Sequence, residues 1–403
     1  MRPGSSGWLL AICASRIGTF MIYIAYAATL PVLQREWNLS GTAAGSISSA
    51  FQVAYAISLM ASSELADRIG AQRVFLAGTV ASALASAAFA GWARDYWSCL
   101  ALYTALALAL GGTYTTGILL LAESVPAARR GRAMGAYVAG HSLGLALALA
   151  LTGLALPLGG YVLAFWLLSL GHLIAAGFAL VAMRSTSNLV SKRAGGPRFG
   201  TAVLKNRPAM LVISGYTFHS WELLGMWAWT PTFLAACFVA AGSEFTRGAG
   251  LGAYIASLFH ITGMIASLVA GVFADRVGRT PVILLMAGLS AMCSLSFGWL
   301  LGVPIAIVVA VGLVYGFSAL GDSPIYSTAI TEVVPRPTVG PPWRFDRCWD
   351  MEPVPWRRWS LAPSSIGMVL GRPAPGAGPS SASVSLVLER SCQACCSTAI
   401  LQP

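Results

Sequence analysis

Charge is what this sequence has least of. Its 403 residues include 25 Lys and Arg and 14 Asp and Glu, 10% in all, where a soluble globular chain carries about a quarter. Lysine occurs only at Lys192 and Lys205, and there are four histidines. A water-facing surface needs more charge than this, which excludes a soluble enzyme of this length. The eight cysteines are scattered, with a single C-x-x-C at Cys392 and Cys395 and no second pair to complete a metal site, and Cys13, Cys99, Cys237 and Cys293 fall inside apolar runs, where they read as packing residues. No nucleophile constellation, metal-ligand cluster or cofactor fingerprint stands out. The expectation is a protein that is not an enzyme and has no metal and no cofactor.

What the sequence has in abundance is apolar length. Hydrophobic residues make up 57% of it and the mean hydropathy is +0.72, without the strict alternation of a membrane barrel. About 20 apolar residues span a bilayer as a helix. Cutting at charged and Pro/Gly gaps gives ten spans: Trp8 to Leu33, Thr42 to Ser62, Val74 to Ala93, Tyr96 to Ala122, Ala133 to Leu156, Gly160 to Met183, Ala209 to Cys237, Ala249 to Ala274, Pro281 to Leu301 and Pro304 to Val334. The first is too long, and followed by too many others, to be a cleaved signal peptide. The fold class is all-α and polytopic, with the lipid bilayer as its surroundings.

Net charge +11 suggests nucleic acid until its position is read. With the amino terminus in the cytoplasm, 14 Lys and Arg fall on the cytoplasmic side of the ten spans and three, Arg35, Arg94 and Arg247, fall outside, as the positive-inside rule requires. Topology accounts for the basic residues and no nucleic-acid partner is implied. The longest internal loop, 184–208, has six basic residues and no acidic one. It divides the chain into a six-helix half (1–183), a cytoplasmic linker (184–208) and a four-helix half (209–335).

An internal repeat supports the same division. Glu64-Leu65-Ala66-Asp67-Arg68-Ile69-Gly70 follows span two, and Val272-Phe273-Ala274-Asp275-Arg276-Val277-Gly278 follows span eight, 208 positions on. Glu123-Ser124-Val125-Pro126 after span four returns as Glu332-Val333-Val334-Pro335 after span ten, 209 positions on. Spans one and seven share a proline near one end, Pro31 and Pro231.

The Asp-Arg-x-Gly loop, its second copy, the Arg130-Gly131-x-x-x-Gly135 opening of span five and the basic central loop together resemble the major facilitator superfamily over residues 1 to about 335. The family's loop motif, G-x-x-x-D-R-x-G followed by basic residues, fits the second copy well through Gly271, Asp275, Arg276, Gly278 and Arg279. The first copy departs from it: Ser63 stands for the leading glycine, and Ala71-Gln72 precede Arg73. The resemblance implies secondary active transport of a small solute by alternating access, in a bacterial inner membrane, by a monomer. The order of residues in the loop also has a physical reading. Asp67 is within reach of a helix amino terminus or of Arg129, Arg130 or Arg132 on the next loop. Asp67, Arg68, Gly70, Arg73, Arg130 and Gly131, with the second-copy residues, are then a latch that closes one side.

Ionisable groups at membrane depth mark pathways. They are few here: Arg16, Glu222 and Asp322, together with His141, His172, His219 and His260. The resemblance implies that spans one, four, seven and ten line the cavity, which would bring Arg16, Glu222 and Asp322 to it. His219 and Glu222, three apart on one helical face, form a candidate protonatable pair, with Glu222 as the coupling group. His141 stands between Gly140 and Gly144, where a helix can approach closely, whereas His172 and His260 read as packed. Tyr114 and Tyr326 add hydroxyls beside glycine-rich turns. Arg16 among histidines suits a small organic or inorganic anion. Span five lacks the Gly-Pro pair seen in efflux members of the family, which favours uptake over drug export.

From residue 336 the pattern breaks. Residues 336–403 hold ten of the 21 Pro, four of the 13 Trp and four of the eight Cys, and no stretch there can cross a bilayer. Cys348-Trp349-Asp350-Met351-Glu352-Pro353, read back into codons and shifted to the third base, gives Leu-Gly-(Tyr or His)-Gly-(Ala or Thr). The expectation is a frameshifted end in place of spans eleven and twelve, and the competing reading is a truncated product that does not transport. The orientation is tested with an otherwise cysteine-free chain carrying Ser187→Cys. An impermeant thiol reagent should label it only after lysis, and labelling of intact cells would reverse the topology.

Overall fold

A computed structural model of the chain describes residues 1–188, 190 and 205–333. Most of the 184–208 loop and all of 336–403 lie outside the described residues. Among those described, the ordered elements are helical: α1 Ser6–Met21, α2 Ala25–Glu36, α3 Gly41–Ile69, α4 Ala71–Trp92, α5 Tyr96–Ser124, α6 Ala127–Met183, α7 Arg207–Ala240, α8 Phe245–Val277, α9 Arg279–Phe297, a 3-10 turn Gly298–Leu300, α10 Ile305–Gly321 and α11 Ser323–Val333.

Nine helical segments among the described residues are long and apolar enough to cross a membrane. One of them, Ala133–Met183, is 51 residues long, about 77 Å at the α-helical rise and more than twice a ~30 Å hydrocarbon core. It is two spans joined where Gly159 and Gly160 leave helical geometry (φ −156°, ψ 21° and φ 63°, ψ −163°). An L-residue rarely adopts the second of these conformations. The limbs fold back on one another, because Gly144 of one meets Ile17 and Gly171 of the other lies against Gly18 and Met21 of the same helix α1.

Span one is also interrupted. α1 and α2 are separated by Ile22, Tyr23 and Ile24, and the Tyr23 carbonyl freed by the break accepts a hydrogen bond from the Tyr103 hydroxyl. Span ten breaks at Asp322, between α10 and α11. Broken helices at membrane depth are tolerated where the loosened backbone is enclosed by protein, and both breaks are buried.

Caps set several helix starts. Ser40 accepts from Ala43 N at 3.1 Å, Asp95 and Ser98 form a capping box on α5, and Asn206 caps α7 ahead of Pro208. At the start of α8 the backbone amides of Thr246 and Arg247 hold the Glu244 carboxyl below the usual carboxylate range.

The packing differs between the two ends of the bundle. Near the Tyr23 break and the α7–α8 connection, one core joins the first six spans to the last four, running from Phe20 and Leu30 through Leu149 and Phe165 to Phe233, Phe259 and Tyr315. Toward the Asp67 and Asp275 loops it divides. Trp8, Phe75, Leu121 and Met183 form a core within the first six spans, and Ala274, Val282, Met286 and Ile325 form one within the last four. At the joined end α6 crosses α8 with almost no side chain between them. A Cβ on Gly153 would stand 2.7 Å from Gly250 O, and one on Gly250 would stand 2.7 Å from Gly153 O.

Gly153→Leu should therefore force α6 from α8 and destabilise the protein by about 1–3 kcal/mol. Gly135→Leu, where an added Cβ meets nothing within 4 Å, should have a far smaller effect. Thermal unfolding in detergent compares the two, and equal midpoints would disprove the contact.

Candidate functional site

The candidate site begins with Arg16. Its side chain lies on α1, 2% exposed, and no salt bridge to it is found among the described residues. Its guanidinium lies 3.7 Å from the Phe20 ring centroid, 4.4 Å from that of Tyr114 and 5.1 Å from that of Tyr137. Each such contact is worth about 0.5–2 kcal/mol, less than the several kcal/mol that removing a charge from water costs. Nη2 lies 3.2 Å from His141 Nδ1. Arginine only donates, so Nδ1 accepts and His141 carries its proton on Nε2. Arg16 Nε, Arg16 Nη1 and His141 Nε2 are all buried without a hydrogen-bond partner among the described residues. Gly144 makes this approach possible, because a Cβ there would collide with Ile17 O, whereas one on Gly140 would make only ordinary contacts at 3.4–3.5 Å.

From His141 a series of ring contacts runs across to the last four spans. His141 and Trp227 have centroids 5.6 Å apart, and Trp227 and His260 are again 5.6 Å apart. Tyr23 meets Trp227 edge-on at 6.4 Å and donates to Gln52 Oε1 at 2.8 Å. Small cavities of about 30 Å³ and about 10 Å³ lie on either side of Trp227.

A second polar cluster lies within the last four spans. His219 Nδ1 is 3.1 Å from Asp322 Oδ1, its Nε2 is 2.7 Å from Ser323 Oγ, and its ring lies 5.7 Å from those of Tyr216 and Tyr326. Glu222 points elsewhere: Ser290 of α9 donates to its Oε1 at 2.6 Å.

The sequence-selected residues therefore form two groups. Arg16, Tyr114 and His141 come together, as do His219, Asp322 and Tyr326. The His219–Glu222 pair expected from helical spacing does not share a hydrogen bond, because the broken turn at Asp322 offers His219 a nearer carboxylate. His172 is packed, 3.0 Å from Ser82 Oγ, but His260 faces Trp227. Trp227 and Gln52 do not stand out in the sequence. An aromatic or amide within an apolar span carries no sequence signal that separates site lining from packing.

The two loop copies share a backbone. Gly70 (φ 97°, ψ 144°) and Gly278 (φ 96°, ψ 155°) each end one helix and start the next. Arg68 pairs with Glu64, and Arg279 lies 3.5 Å from Asp275. Arg73 lies in the first turn of α4 and Arg276 in the last turn of α8, while an added Cβ on Gly271 would meet nothing within 4 Å. The departure at Gln72 has a structural use, since its amide donates to Met183 O at 3.1 Å. The side chains of Arg130 and Arg132, and Gly131, lie outside the described residues.

Residues 9–340 match the family model of the Major Facilitator Superfamily. The chain belongs to that superfamily. It is a multi-pass membrane transporter rather than an enzyme. Among curated proteins it is 25% identical over 341 residues to a probable 4-methylmuconolactone transporter of Cupriavidus pinatubonensis, covering 82% of this chain and 75% of that one. It is also 25% identical over 287 residues to probable anion transporter 4, chloroplastic, of Arabidopsis thaliana, covering 64% and 52%. Similar folds are found in a bacterial homologue of the human lysosomal transporter Spinster, in an inward-facing, unoccupied conformation (TM-score 0.65, 15% identity, 83% and 79% covered), and in the nucleoside transporter NupG (TM-score 0.60, 16% identity, 80% and 80% covered).

Proposed function

We propose that this facilitator takes up a small organic anion by alternating access, binding it at Arg16 and His141. The observation that carries this reading is the buried guanidinium, which has two unpartnered N–H groups and a free His141 N–H beside it. A buried cation without a counter-ion is unfavourable by several kcal/mol, and an arriving carboxylate supplies both the charge and the acceptors. Charge-assisted pairs of this kind are strong and geometrically specific. The names of the two curated relatives point the same way.

In this reading the halves 1–183 and 209–335 pivot about the joined end, and the Asp67 and Asp275 loops latch the opposite, cytoplasmic side. The protein is a monomer of the inner membrane with its amino terminus inside. Proton coupling belongs to the second half, to Glu222 and to Asp322 with His219.

Two measurements on the purified 403-residue chain test this. Benzoate and other small carboxylates should bind saturably to wild type. Arg16→Gln should weaken that binding by a hundredfold or more, since stranding one partner of a buried charge pair costs about 3–5 kcal/mol. Equal affinity in both would overturn the assignment of Arg16. Anion binding should also take up protons from a weakly buffered solution, seen with a pH dye. Glu222→Gln should abolish the uptake and change anion affinity less than about threefold, since its carboxylate is held by Ser290 of α9 and not by the Arg16 cluster. Undiminished proton uptake in that variant would make Glu222 a structural group.

A further inference from the structure

The open polar atoms are not all at Arg16. Across the ring contacts, in the last four spans, the Trp227 indole Nε1 and the His260 Nδ1 are also buried without a hydrogen-bond partner among the described residues, and the imidazole can present Nδ1 as a donor in its Nδ1–H tautomer. His260 is 3% exposed. An indole N–H can only donate, and a buried donor left open costs about 1–3 kcal/mol. Two such atoms on adjoining rings, beside a cavity lined by Trp227, Thr230 and His260, are more than packing requires. Phenylalanine at either position would fill the same space without that cost.

Resting on the anion reading of Arg16, we propose that Trp227 and His260 form a second polar subsite, which takes an oxygen acceptor at the end of the substrate remote from its carboxylate. The substrate class is narrowed to organic acids with a carbonyl or similar acceptor opposite the acid group. The His141, Trp227 and His260 rings meet at 5.6 Å with tilts of 47° and 46°, so they form a continuous aromatic path between the two ends. The two subsites also lie on different halves. Arg16 and His141 belong to α1 and α6, Trp227 and His260 to α7 and α8. A substrate satisfying both ends ties the halves together, and an acid lacking the second acceptor engages one half alone. The present cavities are far smaller than such a molecule, so it enters with Trp227 displaced, and the indole N–H is remade onto the ligand as the site closes.

The test uses two para-substituted benzoates of equal charge and nearly equal shape, 4-acetylbenzoate and 4-isopropenylbenzoate, which differ in C=O against C=CH2. Their affinities for the full chain in detergent are measured by calorimetry. Wild type should bind the acetyl compound about tenfold or more tightly than the isopropenyl one, the ratio expected from one buried donor satisfied or stranded. Trp227→Phe keeps the ring and removes the N–H, so it should bring that ratio to near one while the isopropenyl affinity stays within about threefold. A wild-type ratio near one, or a preference that survives Trp227→Phe, overturns the second subsite and leaves the Arg16 reading standing. Failure of wild type to bind either compound overturns the Arg16 reading and the subsite with it. Should Trp227→Phe not yield folded protein, the wild-type ratio decides alone.

Discussion

The arrangement depends on a positive charge kept from water with no carboxylate beside it among the described residues. Arg16 cannot shed its proton to escape, so the surroundings must compensate it. They do so incompletely, with three aromatic faces and one imidazole nitrogen. Much of the local architecture follows from that demand. Gly144 brings α6 close enough to α1 for His141 to reach the guanidinium. The joined core of large aromatics around Phe20 and Phe165 keeps bulk water from the site. Low local polarity makes the open N–H groups costly in isolation and strongly attractive to an anion.

A site of this kind is useful only if it can open, and the packing shows where separation is cheapest. At the joined end the halves share apolar side chains and touch backbone to backbone at Gly153 and Gly250. At the end bearing the Asp-Arg-x-Gly loops, the polar ties described run within a half. Gln72 holds Met183 and Asn188 holds Ile69 in the first, and Asn206 donates to Val333 at 2.8 Å in the second. Parting the halves there leaves those ties and both local cores intact, whereas parting them at the other end exposes a continuous apolar surface.

The spans were legible because an apolar run of bilayer length is rare outside a membrane helix, and even the hairpin at Gly159–Gly160 showed as a gap between two such runs. Arg16, His141 and Asp322 were legible for the complementary reason, that a polar group within such a run is rare. Partnership was not. Helical spacing put His219 with Glu222, but a break in a helix a hundred residues away put Asp322 nearer. Trp227 stayed hidden because an aromatic residue in a span looks the same whether it faces a site, a neighbour or lipid, and His260, visible as a polar group, read as packed. Only tertiary structure shows that Trp227 Nε1 and His260 Nδ1 have no partner among the described residues.

The distribution of charge between the halves suggests how coupling would arise. On the proposed reading the first half contributes one fixed cation and the second contributes the carboxylates of Glu222 and Asp322, with His219 against the latter. An anion arriving at Arg16 neutralises the cation and thereby removes the field that stabilised the two carboxylates. Its own charge adds to theirs in a poorly screened interior. A proton taken by the second half relieves that repulsion, and a bound anion makes the proton easier to hold. The same free energy works in both directions. Coupling of this sort needs no relay of side chains between the two clusters, only a low-dielectric interior in which their charges are poorly screened.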